Sequence, residues 1–123
     1  MILADTSVWI DYLRSGDERM TALLADRSIL MHPFVVGELA VGNLHPRGAM
    51  LAVLNALPSA SVATHQEVLD FLENNKLFGR GLGYVDAHLL VSVRLTADAV
   101  LWAYDRRLHG IASQLGLAVH LTH

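Results

Sequence analysis

The sequence predicts an α/β fold built on a parallel sheet, and three observations predict it. Short apolar runs alternate with longer stretches whose apolar residues recur at helical spacing, the pattern of βαβ units. Glycine or proline stands at the ends of several helical stretches, where it would stop them. The chain has 123 residues, enough for a single core, and shows no repeat, low-complexity tract or linker, so residues 1–123 are expected to form one domain.

In chain order, the first strand is expected at Ile2 to Ala4. "SVWIDYLRSG" follows, with Val8, Trp9, Tyr12 and Leu13 on one helical face and Gly16 as its stop. "MTALLADRS" reads as a second helix leading to a strand at Ser28 to Met31. After His32 and Pro33, "FVVGELAVGNL" is helical, and "AMLAVLNAL" must end before Pro58. Ser61 to Ala63 is a third candidate strand. Thr64 can cap "HQEVLDFLENNKLF", with Glu67 three positions on completing a capping box. Glycines 79, 81 and 83 of "GRGLGY" mark a loop before the helix "VDAHLLVSVRL". Ala99 to Tyr104 is the fourth strand, "RRLHGIASQLG" a helix closed by Gly116, and Leu117 to Leu121 the fifth strand. A parallel sheet of four to five strands is the expectation.

Composition narrows the chemistry. Cysteine is absent, which excludes disulfides and thiolate metal sites and leaves oxygen or imidazole as metal ligands. Met1 runs straight into "ILAD" without a basic leader, and the longest stretch free of Asp, Glu, Lys and Arg, residues 48–66, carries Asn55, Pro58, Ser59, Ser61 and His65. A soluble, cytoplasmic protein with no membrane association is expected. Hydrophobic residues make up 53% of the chain, which suits a dense core and an apolar surface for a partner.

Most acids, among them Asp11, Asp17, Glu18, Asp26, Glu67, Asp70 and Glu73, lie in polar company and read as surface charges. Four stand in apolar company. Asp5 ends the first strand, Glu38 lies inside "FVVGELAVG", Asp86 precedes "AHLLVSV", and Asp105 ends "AVLWAYD". Each has a plain structural reading, as a helix cap for Asp5, Asp86 and Asp105 and as the polar stripe of a helix for Glu38. Together they suggest more, because ligands of open parallel sheets bind at the carboxyl ends of the strands. Asp5 and Asp105 both occupy such ends, and would flank one crevice if the first and fourth strands were neighbours.

Two like charges roughly 4 Å apart repel by about 4 kcal/mol at an effective dielectric near 20. Four gathered carboxylates therefore call for protons or cations to offset the repulsion. Oxygen ligands favour Mg²⁺ or Mn²⁺, and a metal site with open positions can hold a phosphate and a water together.

The segments "ILADTSVWIDYL" (residues 2–13), "VVGELAVGNL", "YVDAHLLVSVRL" and "VLWAYDRRLHGIA" resemble, in order and separation, the four motif regions of PIN-domain ribonucleases, specifically VapC-type toxins. The resemblance covers essentially the whole chain. It implies a three-layer α/β/α fold and a catalytic constellation of Asp5, Glu38, Asp86 and Asp105. The acids would bind Mg²⁺ or Mn²⁺ for hydrolysis of RNA phosphodiester bonds, with Asp5 and Asp86 as direct ligands and Glu38 and Asp105 as ligands or water-orienting groups. Ser7, or alternatively Thr6, would support Asp5 or a bound water. A homodimer and a small VapB-like antitoxin that inserts a side chain at the acidic crevice are also implied. Many relatives carry Thr or Ser two places before the last acid, where this chain has Ala103.

The net charge of −3 is not the basic footprint usual for nucleic-acid binders. Setting the four site acids aside leaves eight acids against nine Lys and Arg, a balance of +1. Arg14, Arg80, Arg106 and Arg107 are candidates for phosphate contacts, or else ordinary solubility charges. The seven histidines, at 32, 45, 65, 88, 109, 120 and 123, are scattered along the sequence without H-E-x-x-H spacing, which argues against a histidine metal site. Trp9, Tyr12 and Trp102 have spacings typical of packing. Two other functions are weighed against the nuclease. One is a catalytically weak module of the same fold that acts through its protein partner. The other is a phosphoryl-transfer or receiver-type domain, disfavoured because "DTSVW" lacks the second Asp of a D-x-D pattern.

Overall fold

The computed structural model describes residues 1–121; His123, one of the scattered histidines, lies outside them. The described residues form three strands and seven helices: β1 (Ile2–Ala4), α1 (Thr6–Ser15), α2 (Glu18–Ala25), β2 (Ile29–Leu30), α3 (Pro33–Val41), α4 (Arg47–Asn55), α5 (His65–Asn74), α6 (Tyr84–Leu95), β3 (Val100–Trp102) and α7 (Arg106–Gln114). Every helix expected from the sequence is present.

The sheet is parallel with order β2-β1-β3. Leu3 stands between Leu30 and Leu101, and Ala4 beside Trp102. Leu3, Ala4, Ile29, Leu30, Leu101 and Trp102 are all buried, as strands covered on both faces by other elements must be.

The expected four to five strands reduce to three, with a single bridge beyond each edge. On one side Met31 meets Ser59, through the Met31 amide to Pro58 O at 2.7 Å and the Ala60 amide to Met31 O at 2.9 Å. Pairing stops there because the Ser61 amide donates instead to Thr96 Oγ1 at 2.9 Å. The expected strand at Ser61 to Ala63 is therefore an extended segment tied to the end of α6. On the other side Leu101 meets Ala118, and the expected strand at Leu117 to Leu121 shrinks to that bridge.

α6 is the central helix, lying between β3 and α5. Ala87 through Val93 are buried without interruption, the mark of a helix covered all round. A satellite cluster of Ala63, Val68, Ala87 and Val91 joins α5 to α6. No helix among the described residues is long and apolar enough to cross a membrane.

Helix ends follow the sequence signals. Gly16, at φ 74°, closes α1 through its amide to Tyr12 O at 2.8 Å, in a backbone region that side chains resist. Thr64 Oγ1 accepts the Glu67 amide at 3.1 Å while Glu67 Oε1 accepts the Thr64 amide at 2.8 Å, a complete capping box. Thr64→Ala is expected to cost about 1 kcal/mol. The check is a lower urea midpoint at unchanged slope.

Candidate active site

Asp5 occupies the step from β1 to α1. Its amide still belongs to the sheet, donating to Trp102 O at 3.0 Å, while its side chain already caps the helix. Oδ1 accepts the Val8 amide at 3.2 Å and the Ser7 hydroxyl at 2.7 Å. Only 6% of the residue is exposed. Burial pushes its carboxyl above the ordinary aspartate range against these hydrogen bonds, and the charge of Asp105 adds to the rise.

Because β3 lies directly beside β1 and runs parallel to it, the segments leaving the two strands emerge at the same sheet edge. Asp105 follows β3 and caps α7, its Oδ1 accepting the Leu108 amide at 2.9 Å. Asp86 sits in the first turn of α6. Burial raises its carboxyl most, followed by the charges of Asp5 and Asp105, with Glu38 contributing as well, while a Gly83 backbone hydrogen bond opposes them. Glu38 projects from α3, which packs on α1, and its Oε1 accepts the Thr6 hydroxyl at 2.5 Å.

Asp5, Asp105 and Glu38 thus lie near enough to Asp86 for their charges to add to its rise. Their cap assignments hold: Asp5 and Asp105 are N-caps, and Asp86 lies in a first helical turn, where the helix dipole favours a negative charge. The two hydroxyls divide their work in a way the spacing did not show. Ser7 supports Asp5, whereas Thr6 supports Glu38. Ala103 is buried and offers no hydroxyl beside Asp105.

The donor set, four carboxylates with no thiolate, fits a hard divalent cation. Among the described residues, however, no three acidic or imidazole side chains stand close enough together to ligate one ion as they are arranged. One oxygen of each of Asp5, Glu38 and Asp105 is engaged by a hydrogen bond, and mutual repulsion opposes closer approach.

The four candidate arginines have different surroundings. Arg14 lines a cleft that also includes Glu38. Arg80 donates to Gln114 Oε1 at 3.0 Å, Arg107 lies across Gly81, and Arg106 is exposed at the start of α7. Trp9 and Trp102 are buried as packing residues, Trp9 edge-on to Tyr12 at 5.9 Å between ring centroids.

The histidines are less scattered in space than in sequence. His32 and His88 are buried, and both pack on Phe34. The Tyr84 hydroxyl lies 2.5 Å from His65 Nδ1 and 2.9 Å from His88 Nε2. His32 Nδ1 accepts the Phe34 amide at 3.0 Å, so its proton resides on Nε2, 3.1 Å from Ser92 Oγ. The sequence hint was "HP" before an apolar helix, an imidazole in the position of an N-cap.

No protein-family model matches the sequence. Two curated proteins do, each called Ribonuclease VapC32, from Mycobacterium tuberculosis strains CDC 1551 / Oshkosh and ATCC 25618 / H37Rv. Each is 46% identical to this chain over 119 residues, which span 97% of this chain and 96% of the relative. With that identity along nearly the full length of both chains, the protein belongs to the VapC ribonuclease family.

Proposed function

We propose that the protein is a metal-dependent endoribonuclease toxin that hydrolyses RNA phosphodiester bonds at the crevice formed by Asp5, Glu38, Asp86 and Asp105. The observation that carries this reading is the pairing of β1 with β3, which brings Asp5 and Asp105 out at the same end of the sheet. The name Ribonuclease given to the relatives supports RNA as the substrate.

Asp5 and Asp86 are the proposed direct ligands of Mg²⁺ or Mn²⁺, with Glu38 and Asp105 completing the shell or orienting water. When bound, a divalent ion supplies charge stabilisation at the phosphate and a water of lowered pKa. The chain's own contribution is rigidity. Asp5 is held by a strand, a helix end and Ser7; Glu38 is held by Thr6. Burial of Asp5 keeps bulk water from weakening its field.

A small VapB-like antitoxin and a second copy of the chain are the proposed partners. A cleft of about 350 Å³, lined by Ile10, Leu13, Arg14, Glu38 and Leu39 among others, supports a mainly apolar antitoxin segment. Val41, 90% exposed at the end of α3, adds apolar surface beside it.

The test is cleavage of single-stranded RNA by partner-free protein. Turnover should require Mg²⁺ or Mn²⁺ and stop with EDTA. It should also fall on acidification at a pH above the ordinary aspartate range, because Asp5 and Asp86 take up protons early. A stable protein complex without metal-dependent turnover would favour a binding module instead.

A further inference from the structure

The segment from Lys76 to Gly83 joins α5 to α6 and contains two cations and no acid, in a chain whose net charge is negative. Lys76, at φ 53°, turns the backbone out of α5, and Leu77 then anchors it, buried and bonded through its amide to Leu72 O at 2.9 Å. The next side chain is directed outward. Phe78 is 60% exposed, an aromatic ring on the surface between Lys76 and Arg80.

From there the loop crosses to α7. At Gly81, φ 84°, a Cβ would stand 3.0 Å from both Cδ and Nη1 of Arg107 and 3.3 Å from its Cζ. The Arg107 side chain therefore lies close over Gly81, where an added Cβ would press on it. Among the described residues no carboxylate pairs with Arg80 or Arg107. Arg107 follows Asp105 by two residues, and the loop ends at Gly83, the N-cap of α6, three residues before Asp86. A cationic strip with an exposed ring thus leads up to the acidic crevice. Three residues of backbone place Phe78 within about 11 Å of Gly81.

The chemistry that matches unpaired guanidinium beside an unpaired aromatic face is a polyanion carrying flat rings. We propose that this loop and Arg107 form the grip for single-stranded RNA next to the cleaved bond, with Phe78 stacking on a flanking base and Arg107 contacting a phosphate. The proposal rests on the ribonuclease reading for its substrate. Stacking accepts any base, so the grip selects single strand over duplex rather than a sequence.

The experiment measures affinity of the Asp5→Asn chain for a short single-stranded RNA, alone and combined with Phe78→Ala, Phe78→Trp or Arg107→Gln. Phe78→Ala is expected to weaken binding roughly tenfold, with Phe78→Trp restoring it. Arg107→Gln should reduce the slope of log affinity against log salt by about 0.7, the value for one lost single-strand phosphate contact. In the chain with Asp5 intact, Phe78→Ala should raise KM and leave kcat nearly unchanged. Unaltered affinity in both Phe78→Ala and Arg107→Gln, with RNA still cleaved by the parent, would overturn the grip and leave the nuclease standing. RNA bound through Phe78 but never cleaved would remove the nuclease and keep the grip, and no RNA binding at all would remove both. A change in solution mass on Phe78→Ala with unchanged RNA affinity would make the ring part of a protein interface and overturn the proposal.

Discussion

Asp5→Asn should abolish RNA cleavage while leaving the metal-free protein at least as stable as the parent. The divalent ion that Asp5 is proposed to hold would supply several kcal/mol of transition-state charge stabilisation. At about 1.36 kcal/mol per factor of ten, its loss corresponds to roughly 10²–10³-fold in rate or more. The substitution is mild structurally because asparagine also caps helices well, and its carbonyl oxygen can keep the Val8 and Ser7 bonds. It also removes a buried charge that raises Asp86 and is itself raised by Asp105. Thermal melts with and without Mn²⁺ provide the check: the parent should gain stability on adding the ion, and Asp5→Asn should gain much less. Full cleavage by the variant would remove Asp5 from the chemistry, and a collapse of its melting point without metal would show a structural role instead.

Acidification should destabilise the fold through His32. This imidazole is fully buried, accepts the Phe34 amide and is held down to a pKa of about 4, first by burial and then by the neighbouring His88. Its ordinary value is near 6.5, so the unfolded chain takes up a proton that the folded chain refuses. Stability from this group is fully present above pH 6.5 and is lost as pH falls toward 4, by about 3 kcal/mol in all. Asp5 and Asp86 work in the opposite sense, since a raised folded pKa favours the native state on acidification. The two effects separate in a comparison with His32→Asn, which keeps a capping side chain and cannot titrate. Urea midpoints at several pH values should show the parent's advantage over the variant shrinking between pH 6.5 and 4. A constant difference would mean that His32 does not carry the effect.

The parts of the fold that local chemistry decides were legible in the sequence. Apolar runs gave β1, β2 and β3, and Gly16, Thr64 with Glu67, and Gly116 marked the helix ends they occupy. The misjudged edge strands depend on distant groups. Nothing within residues 61–63 reveals that the Ser61 amide will be taken by Thr96, 35 residues away. The same limit hid the Thr6–Glu38 bond, the burial of His32 and His88, and the rest of Arg107 on Gly81. The acids fall between these cases. Each alone is explained by a helix end or a polar stripe, and only the neighbouring of β1 and β3 brings the separate caps of Asp5 and Asp105 to one end of the sheet.

That neighbouring also sets when the proposed site can assemble during synthesis. The first strand to leave the ribosome finds its partner 98 positions later, where Ile2 meets Val100, and Asp105 lies farther still. Contacts so remote in sequence form late and slowly. A growing or prematurely terminated polypeptide that stops short of β3 holds Asp5 without the strand that seats it beside Asp105. A chain ending before Val100 is therefore expected to lack the proposed site and to leave RNA uncut.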